Sequence, residues 1–207
     1  MTLGWEGRDR VETKNTKGMM RAELLRARRE LPQDDCSTAA RALARHALSL
    51  PELASAGTVA GYASVGAEPG TQDLLDMLRN HGTRVLLPVL LPDNDLNWAV
   101  YEGPGSLVPA GRGLLEPDGA RLGPDEVLTA DVILLPGLAV DTHGMRLGRG
   151  GGSYDRVLER LAKAGAHPAL VVLVYAHEVI ARVPAEPHDH PVHAVITPEG
   201  VRRFATL

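Results

Sequence analysis

Apolar and polar positions alternate with two different periods along this chain, and the change from one to the other divides it. Residues 17–30 are rich in Met, Leu, Ala, Arg and Glu, with Met20, Leu24 and then Ala27 or Leu31 on one stripe, which predicts a helix ended by Pro32. A second helical stripe, Ala40, Leu43, Ala47 and Leu50, predicts a helix over 37–50 closed by Pro51. Short β-rich runs then take over, each bounded by Gly, Pro or Asp. Strands are predicted at 58–63, 84–87, 96–101, 131–135, 169–175 and 194–197. Helices are predicted at 71–80, capped by Thr71, and at 154–164. Residues 103–124, dominated by Gly and Pro, read as one long loop.

The run Asp131-Val-Ile-Leu-Leu135 is apolar without alternation, the signature of a strand buried on both faces of a parallel sheet. Strands alternating with helices predict a three-layer α/β/α sandwich around a mostly parallel sheet, preceded by two N-terminal helices, with the site at the carboxyl ends of the strands. The organisation expected is a flexible N-terminal arm over residues 1–16 and a single α/β domain over 17–207.

Composition narrows the function without naming it. With 207 residues, 44% hydrophobic, the chain can bury the core of one ordinary domain. A formal net charge of −4 argues against nucleic acid as a partner, because such proteins carry a basic field that releases counterions. Any anion site is therefore a local patch. The acidic residues in Met1–Thr16 and the lack of an apolar stretch there point to neither a secretory signal nor a membrane anchor. The single cysteine, Cys36, suits a reducing compartment, so the expectation is a cytoplasmic monomer that engages no membrane.

The densest chemistry lies in LLPGLAVDTHGMRLGRGGGSYDR, residues 134–156. A buried strand runs into a loop with Gly148, Gly150, Gly151 and Gly152, and a helix begins just beyond. Glycines let backbone amides close on an anion, and a helix N-terminus adds unpaired N–H groups and partial positive charge. Glycine alone would make only a tight turn. Arg146 and Arg149 add two guanidinium groups suited to a polyphosphate, and Asp155 in the first helical turn would repel that anion unless a cation such as Mg²⁺ intervened. The spacing matches neither a Walker sequence nor a dinucleotide fingerprint.

PGLAVD at Pro136–Asp141 and GMRLGRGGGSYD at Gly144–Asp155 resemble the signature of the 5-formyltetrahydrofolate cyclo-ligase (methenyltetrahydrofolate synthetase) family. Three weaker matches follow in the family's order: Lys17 and Arg21, Glu68 and Thr71, and VPAEPHD at Val183–Asp189. The resemblance implies an enzyme that converts 5-formyltetrahydrofolate and ATP into 5,10-methenyltetrahydrofolate, ADP and phosphate with Mg²⁺, through a phosphorylated formyl group. It implies that Lys17, Arg21, Arg146, Gly148, Arg149, Gly150, Gly151, Gly152, Ser153 and Tyr154 hold ATP. Glu68 would recognise the folate head group, Arg149 through Ser153 would face both substrates, and Asp155 and Asp189 would hold Mg²⁺. Arg149 and Tyr154 are the expected catalytic pair.

Ser153 stands where the family's motif has a second aromatic, and Gly151 where many members carry a longer side chain. These departures keep open a non-catalytic nucleotide- or folate-binding member of the family. A metal-dependent phosphohydrolase is the other rival, built on the same loop and on His188, Asp189, His190 and His193. Pro187 and Pro191 deny those imidazoles a regular helix or strand face, which argues against zinc. Lys17 and Arg21 also share their helix with Arg26, Arg28 and Arg29, so a solvated basic face competes with a binding role.

Overall fold

The computed structural model describes residues 5–186 and 189–204, and side chains from residue 13 onward. Pro187 and His188 of the VPAEPHD segment, and residues 1–4 of the expected arm, lie outside the described residues. Helix α1 (Trp5–Arg29) begins well ahead of Lys17, and α2 (Gln33–Ala47) starts directly after Pro32, which occupies its N-cap with extended backbone (φ −60°, ψ 145°). A single turn, α3 (Pro51–Ala54), precedes β1 (Thr58–Ala60), α4 (Gln72–Asn80), β2 (Arg84–Leu90) and β3 (Leu96–Val100).

The Gly/Pro-rich stretch expected to be a loop contains a small antiparallel hairpin, β4 (Leu107–Pro109) and β5 (Leu115–Pro117). Strands of three residues are too short to show a period, so the pattern missed them. Then come β6 (Val132–Pro136), β7 (Ala139–Asp141), β8 (Arg146–Leu147), α5 (Ser153–Ala164), β9 (Ala169–Leu173), β10 (Val179–Ile180), β11 (Ala194–Thr197) and β12 (Gly200–Arg203). Among the described residues no helix is long and apolar enough to cross a membrane.

Seven strands form the main sheet in the order β12-β11-β9-β6-β1-β2-β3. The five inner strands are parallel, and β12 and β3 close the two edges antiparallel. This is the mostly parallel sheet that the apolar run at 131–135 predicts. Along β6 the side chains split by period two: Val132 and Leu134 enter one core, Ile133 and Leu135 the other, and all four are fully buried. Leu43, Ala44 and Ala47 of α2 and Leu74, Leu75 and Leu78 of α4 cover the first face. Val157, Leu158 and Leu161 of α5 cover the second. Three layers result.

Strand β2 runs three residues past its expected end because Pro88 needs no donor there. Its partner β1 stops at Ala60, with the Gly61 amide donating to Leu86 O as the last cross-strand bond on that side, while Pro88 still pairs with Trp98 of β3.

Helix α1 joins neither outer layer. Met20 and Leu24 pack with Ala139, Leu147 and Val183 against a second sheet, ordered β10-β7-β8. Arg28 does not belong to the solvated basic face that competes with a binding role on this helix: it is 2% exposed. Its Nε and Nη2 donate to the two oxygens of the fully buried Glu178 at 2.6 and 2.8 Å, and Nη2 also donates to Gly137 O at 2.7 Å. Burial alone would lower the Arg28 pKa, and the Glu178 carboxylate more than offsets this, raising it. Helix α1 is thereby pinned to the end of β6.

Removing one partner of a buried ion pair strands the other charge without compensation. Glu178→Gln is expected to lower unfolding free energy by about 3–5 kcal/mol, read as a reduced midpoint in urea denaturation; a loss below ~1 kcal/mol would show the pair to be dispensable.

Candidate functional site

Strand β1 connects to β2 on one side while β6 lies on its other side, so the chain reverses direction of travel across the sheet at β1. In doubly wound sheets a crevice opens at such a point, outside the carboxyl ends of the strands. A cavity of about 730 Å³ occupies it here. Every residue singled out for binding from the sequence lines it: Lys17 and Arg21 from α1, Glu68 from the β1–α4 loop, Arg146 and Gly148–Asp155 from the glycine loop, and Asp189.

Backbone conformation explains the glycines. Gly150 (φ 90°) and Gly152 (φ 78°) occupy the left-handed region, and a Cβ on Gly150 would lie 3.2 Å from Arg21 Cζ. Gly152 is also the N-cap of α5, whose first turn has no side-chain cap. Its leading amides are thus left for an anion. Arg21 donates through Nε to Gly148 O at 2.9 Å, so the first helix braces the loop directly. A Cβ on Gly148 would meet Arg146 Nη1 at 2.7 Å, which keeps that guanidinium against the loop backbone.

Three cations of the cavity, Lys17, Arg146 and Arg149, face carboxylates. Lys17 Nζ bridges Glu186 Oε2 at 3.1 Å and Asp189 Oδ2 at 2.7 Å. Arg146 Nη1 donates to Pro136 O at 2.9 Å, and Nη2 lies 3.5 Å from Asp155 Oδ1. Burial pushes the Arg146 pKa down and Asp155 opposes the shift. Arg149 Nη1 pairs with Glu68 Oε1 at 3.1 Å, and the other Glu68 oxygen accepts from the Val65 amide at 2.9 Å.

Thr71 occupies the N-cap of α4 as expected, but its side chain makes no capping bond. Its hydroxyl donates to Tyr62 O and accepts from the Ser64 amide, closing the loop that carries Glu68. Gly70 completes that loop under α2, where a Cβ would come within 2.7 Å of the Ala40 Cβ.

Tyr154 and Tyr62 are the aromatic floor. Burial raises both phenol pKa values, and the Glu68 carboxylate raises them further. Tyr154 OH is buried with no hydrogen-bond partner among the described residues. An orphaned donor inside a cavity calls for a ligand acceptor or a water.

Asp155 has a side chain 57% exposed and Asp189 one 20% exposed, and both reach the cavity. No three potential metal ligands come together among the described residues. Two hard oxygen donors beside a phosphate-type loop nevertheless fit Mg²⁺, which is commonly held by one or two carboxylates together with phosphate oxygens and water. The histidines of the rival metal reading disperse: His193 Nδ1 accepts from the Leu170 amide at 2.8 Å, and His190 is exposed. His188 falls outside the described residues.

The sequence missed Lys14, Tyr62, Glu186 and the wall formed by Pro88, Leu90 and Leu96. Lys14 lies one turn before Lys17 and was hidden by starting the helix at Lys17. Glu186 sits inside the quoted VPAEPHD segment, so the motif carried it unread. Nothing local marks the apolar wall, which belongs to β2 and β3.

Residues 13–198 match the model of the 5-formyltetrahydrofolate cyclo-ligase family. A 5-formyltetrahydrofolate cyclo-ligase of Mycolicibacterium smegmatis is 43% identical over 189 residues, 89% of this chain and 94% of that protein. One from Escherichia coli is 34% identical over 181 residues, 84% of this chain and 96% of that protein. The NMR structure of Aquifex aeolicus 5,10-methenyltetrahydrofolate synthetase superposes with a TM-score of 0.77 at 28% identity, covering 92% of this chain and 94% of that one.

Tyr154→Phe deletes a buried hydroxyl that has no partner among the described residues, so it is expected to stabilise the fold by about 1 kcal/mol, measured by thermal melting. The raised phenol pKa adds a pH signature. The folded state holds the proton that the unfolded chain gives up near its ordinary pKa of about 10, so stability is complete below that pH and falls as pH rises above it. The variant should show a shallower alkaline loss, and an unchanged slope would remove Tyr154 from it.

Proposed function

This chain belongs to the 5-formyltetrahydrofolate cyclo-ligase family, and from that premise we propose that it closes 5-formyltetrahydrofolate to 5,10-methenyltetrahydrofolate at the expense of ATP. The observation that carries the proposal is the docking of Arg21 from the first helix onto Gly148 O of the glycine loop. That contact brings the weaker-matched Lys17–Arg21 segment onto the glycine loop of the strongest match, around one cavity.

The triphosphate lies along Gly148–Ser153, under the free amides of α5, with Lys17, Arg21 and Arg146 balancing its charge. Asp155 and Asp189 are the residues that would hold Mg²⁺, whose chemistry is to screen the phosphate oxygens and favour departure of ADP. The folate head group sits between Tyr62, Glu68 and Tyr154, where Glu68 is held in place by the Val65 amide and Arg149.

The formyl oxygen attacks the γ-phosphorus as the bond to ADP breaks. The side-arm nitrogen then adds to the activated carbon, gives up its proton, and the carbon–oxygen bond breaks to release phosphate and leave the methenyl ring. Arg149, half exposed on the loop, and the protonated Tyr154 hydroxyl are the groups placed to stabilise charge on the migrating phosphoryl and formyl oxygens. Positioning supplies most of the rate in such a transfer.

Protein mixed with Mg²⁺-ATP and 5-formyltetrahydrofolate is expected to generate the methenyl chromophore, and Asp155→Asn is expected to lower kcat by at least about 100-fold with an unchanged melting temperature. Phosphate release that does not require folate would support a hydrolase instead, and full turnover by the variant would take Asp155 out of the mechanism.

A further inference from the structure

The cavity extends across the sheet from the α1 side to the β2–β3 side, and its two ends differ in chemistry. Lys17, Arg21 and Asp189 make one end polar. Pro88, Leu90, Leu96, Leu114 and Leu115 make the other mostly apolar, between the carboxyl end of β2 and the β4–β5 hairpin, with Glu116 there accepting from the Leu90 amide at 2.9 Å. One cation stands in that apolar end: Arg112, at the hairpin tip.

The backbone there is under strain. Arg112 (φ 62°) and Asn94 (φ 66°) are the two non-glycine residues with positive φ among the described residues. They face each other across the rim, with Arg112 Nη1 donating to Asn94 Oδ1 at 2.8 Å. A left-handed conformation disfavours an arginine, and glycine takes it freely, as the neighbouring Gly113 (φ 72°) does. Strain held by a side-chain contact at a cavity mouth is a functional signal when the side chain offers chemistry found nowhere else nearby. Arg112 forms no ion pair among the described residues. Of the cations deeper in the cavity, Lys17, Arg146 and Arg149 are each matched to a carboxylate, and Arg21 donates to the Gly148 carbonyl.

Resting on the reading of the site given above, we infer that Arg112 binds a carboxylate of the glutamate tail of the folate. A folate has a polar bicyclic head, an apolar aminobenzoyl bridge and an anionic glutamate end. With the head between Tyr62 and Glu68, the bridge lies along Leu90, Leu96 and Leu115, and the tail emerges at Arg112. A guanidinium binds a carboxylate through paired N–H donors, and Asn94 orients it while leaving the remaining donors to the ligand. The polar order of the cavity thus matches the polar order of the substrate.

The test compares 5-formyltetrahydrofolate with 5-formyltetrahydropteroate, which lacks the glutamate. Arg112→Gly suits the left-handed backbone and so removes the side chain without adding strain. It is expected to raise KM for the glutamate-bearing substrate about tenfold, leaving kcat, KM for ATP and KM for the pteroate unchanged. Arg112→Lys should recover part of the loss. An equal rise for both substrates, or no rise for either, overturns tail recognition. Should the wild-type protein form no methenyl product, the activity reading fails separately. Fluorescence titration with the same two compounds then decides tail recognition: preference for the glutamate form, lost in Arg112→Gly, supports it, and equal affinities overturn it.

Discussion

A buried guanidinium holds the site together from a distance. Arg28 ties the far end of α1 to Glu178 and to the carbonyl of Gly137, the residue following β6. Without that anchor α1 would rest on the apolar contacts of Met20 and Leu24 and on the polar contacts of Lys17 and Arg21, whose register on the glycine loop would loosen. The arrangement converts a rigid feature of the central sheet into a fixed position for two cations that line the cavity. Gly137 itself is confined, since a Cβ there would come within 2.7 Å of Val172 Cγ2. Sheet, anchor and helix therefore behave as one unit.

The same logic of pairing governs the cavity. Lys17 with Glu186 and Asp189, Arg146 with Asp155, and Arg149 with Glu68 keep desolvated charge balanced before any ligand arrives. A simple anion would have to displace carboxylates and leave them unmatched, which costs free energy in a half-buried setting. A triphosphate that brings its own divalent cation supplies both signs at once. Such a site discriminates by exchange of partners, and its local balance is consistent with a chain whose net charge is only −4.

Legibility from the sequence followed the range of the interactions. The glycine loop could be read because its cause is local: glycines in positive-φ positions, arginines among them and a helix start lie within a dozen residues. The β6 run could be read because a strand covered on both faces has no polar positions to interrupt it. Arg28 could not, since nothing distinguishes it from Arg26 and Arg29 until Glu178, distant in sequence, arrives beside it. Thr71 looked like a cap because residue type and spacing were right, and a closer set of partners in the Tyr62–Ser64 backbone took its hydroxyl. The β4–β5 hairpin and the strands β7, β8 and β10 are too short to carry a period, and their pairing comes from tertiary contacts.

The contacts that join α1 to the rest of the cavity span long stretches of chain: Arg21 to Gly148 across 127 residues, Lys17 to Glu186 across 169 and Lys17 to Asp189 across 172. Closing such intervals is entropically slow and comes late in folding. During synthesis α1 emerges well ahead of Glu186 and Asp189, and its apolar stripe stays uncovered until they follow. The cavity is thus completed only after those distant residues are made, and a chain cut short before Glu186 would keep much of its central sheet while lacking the counter-ions that hold Lys17.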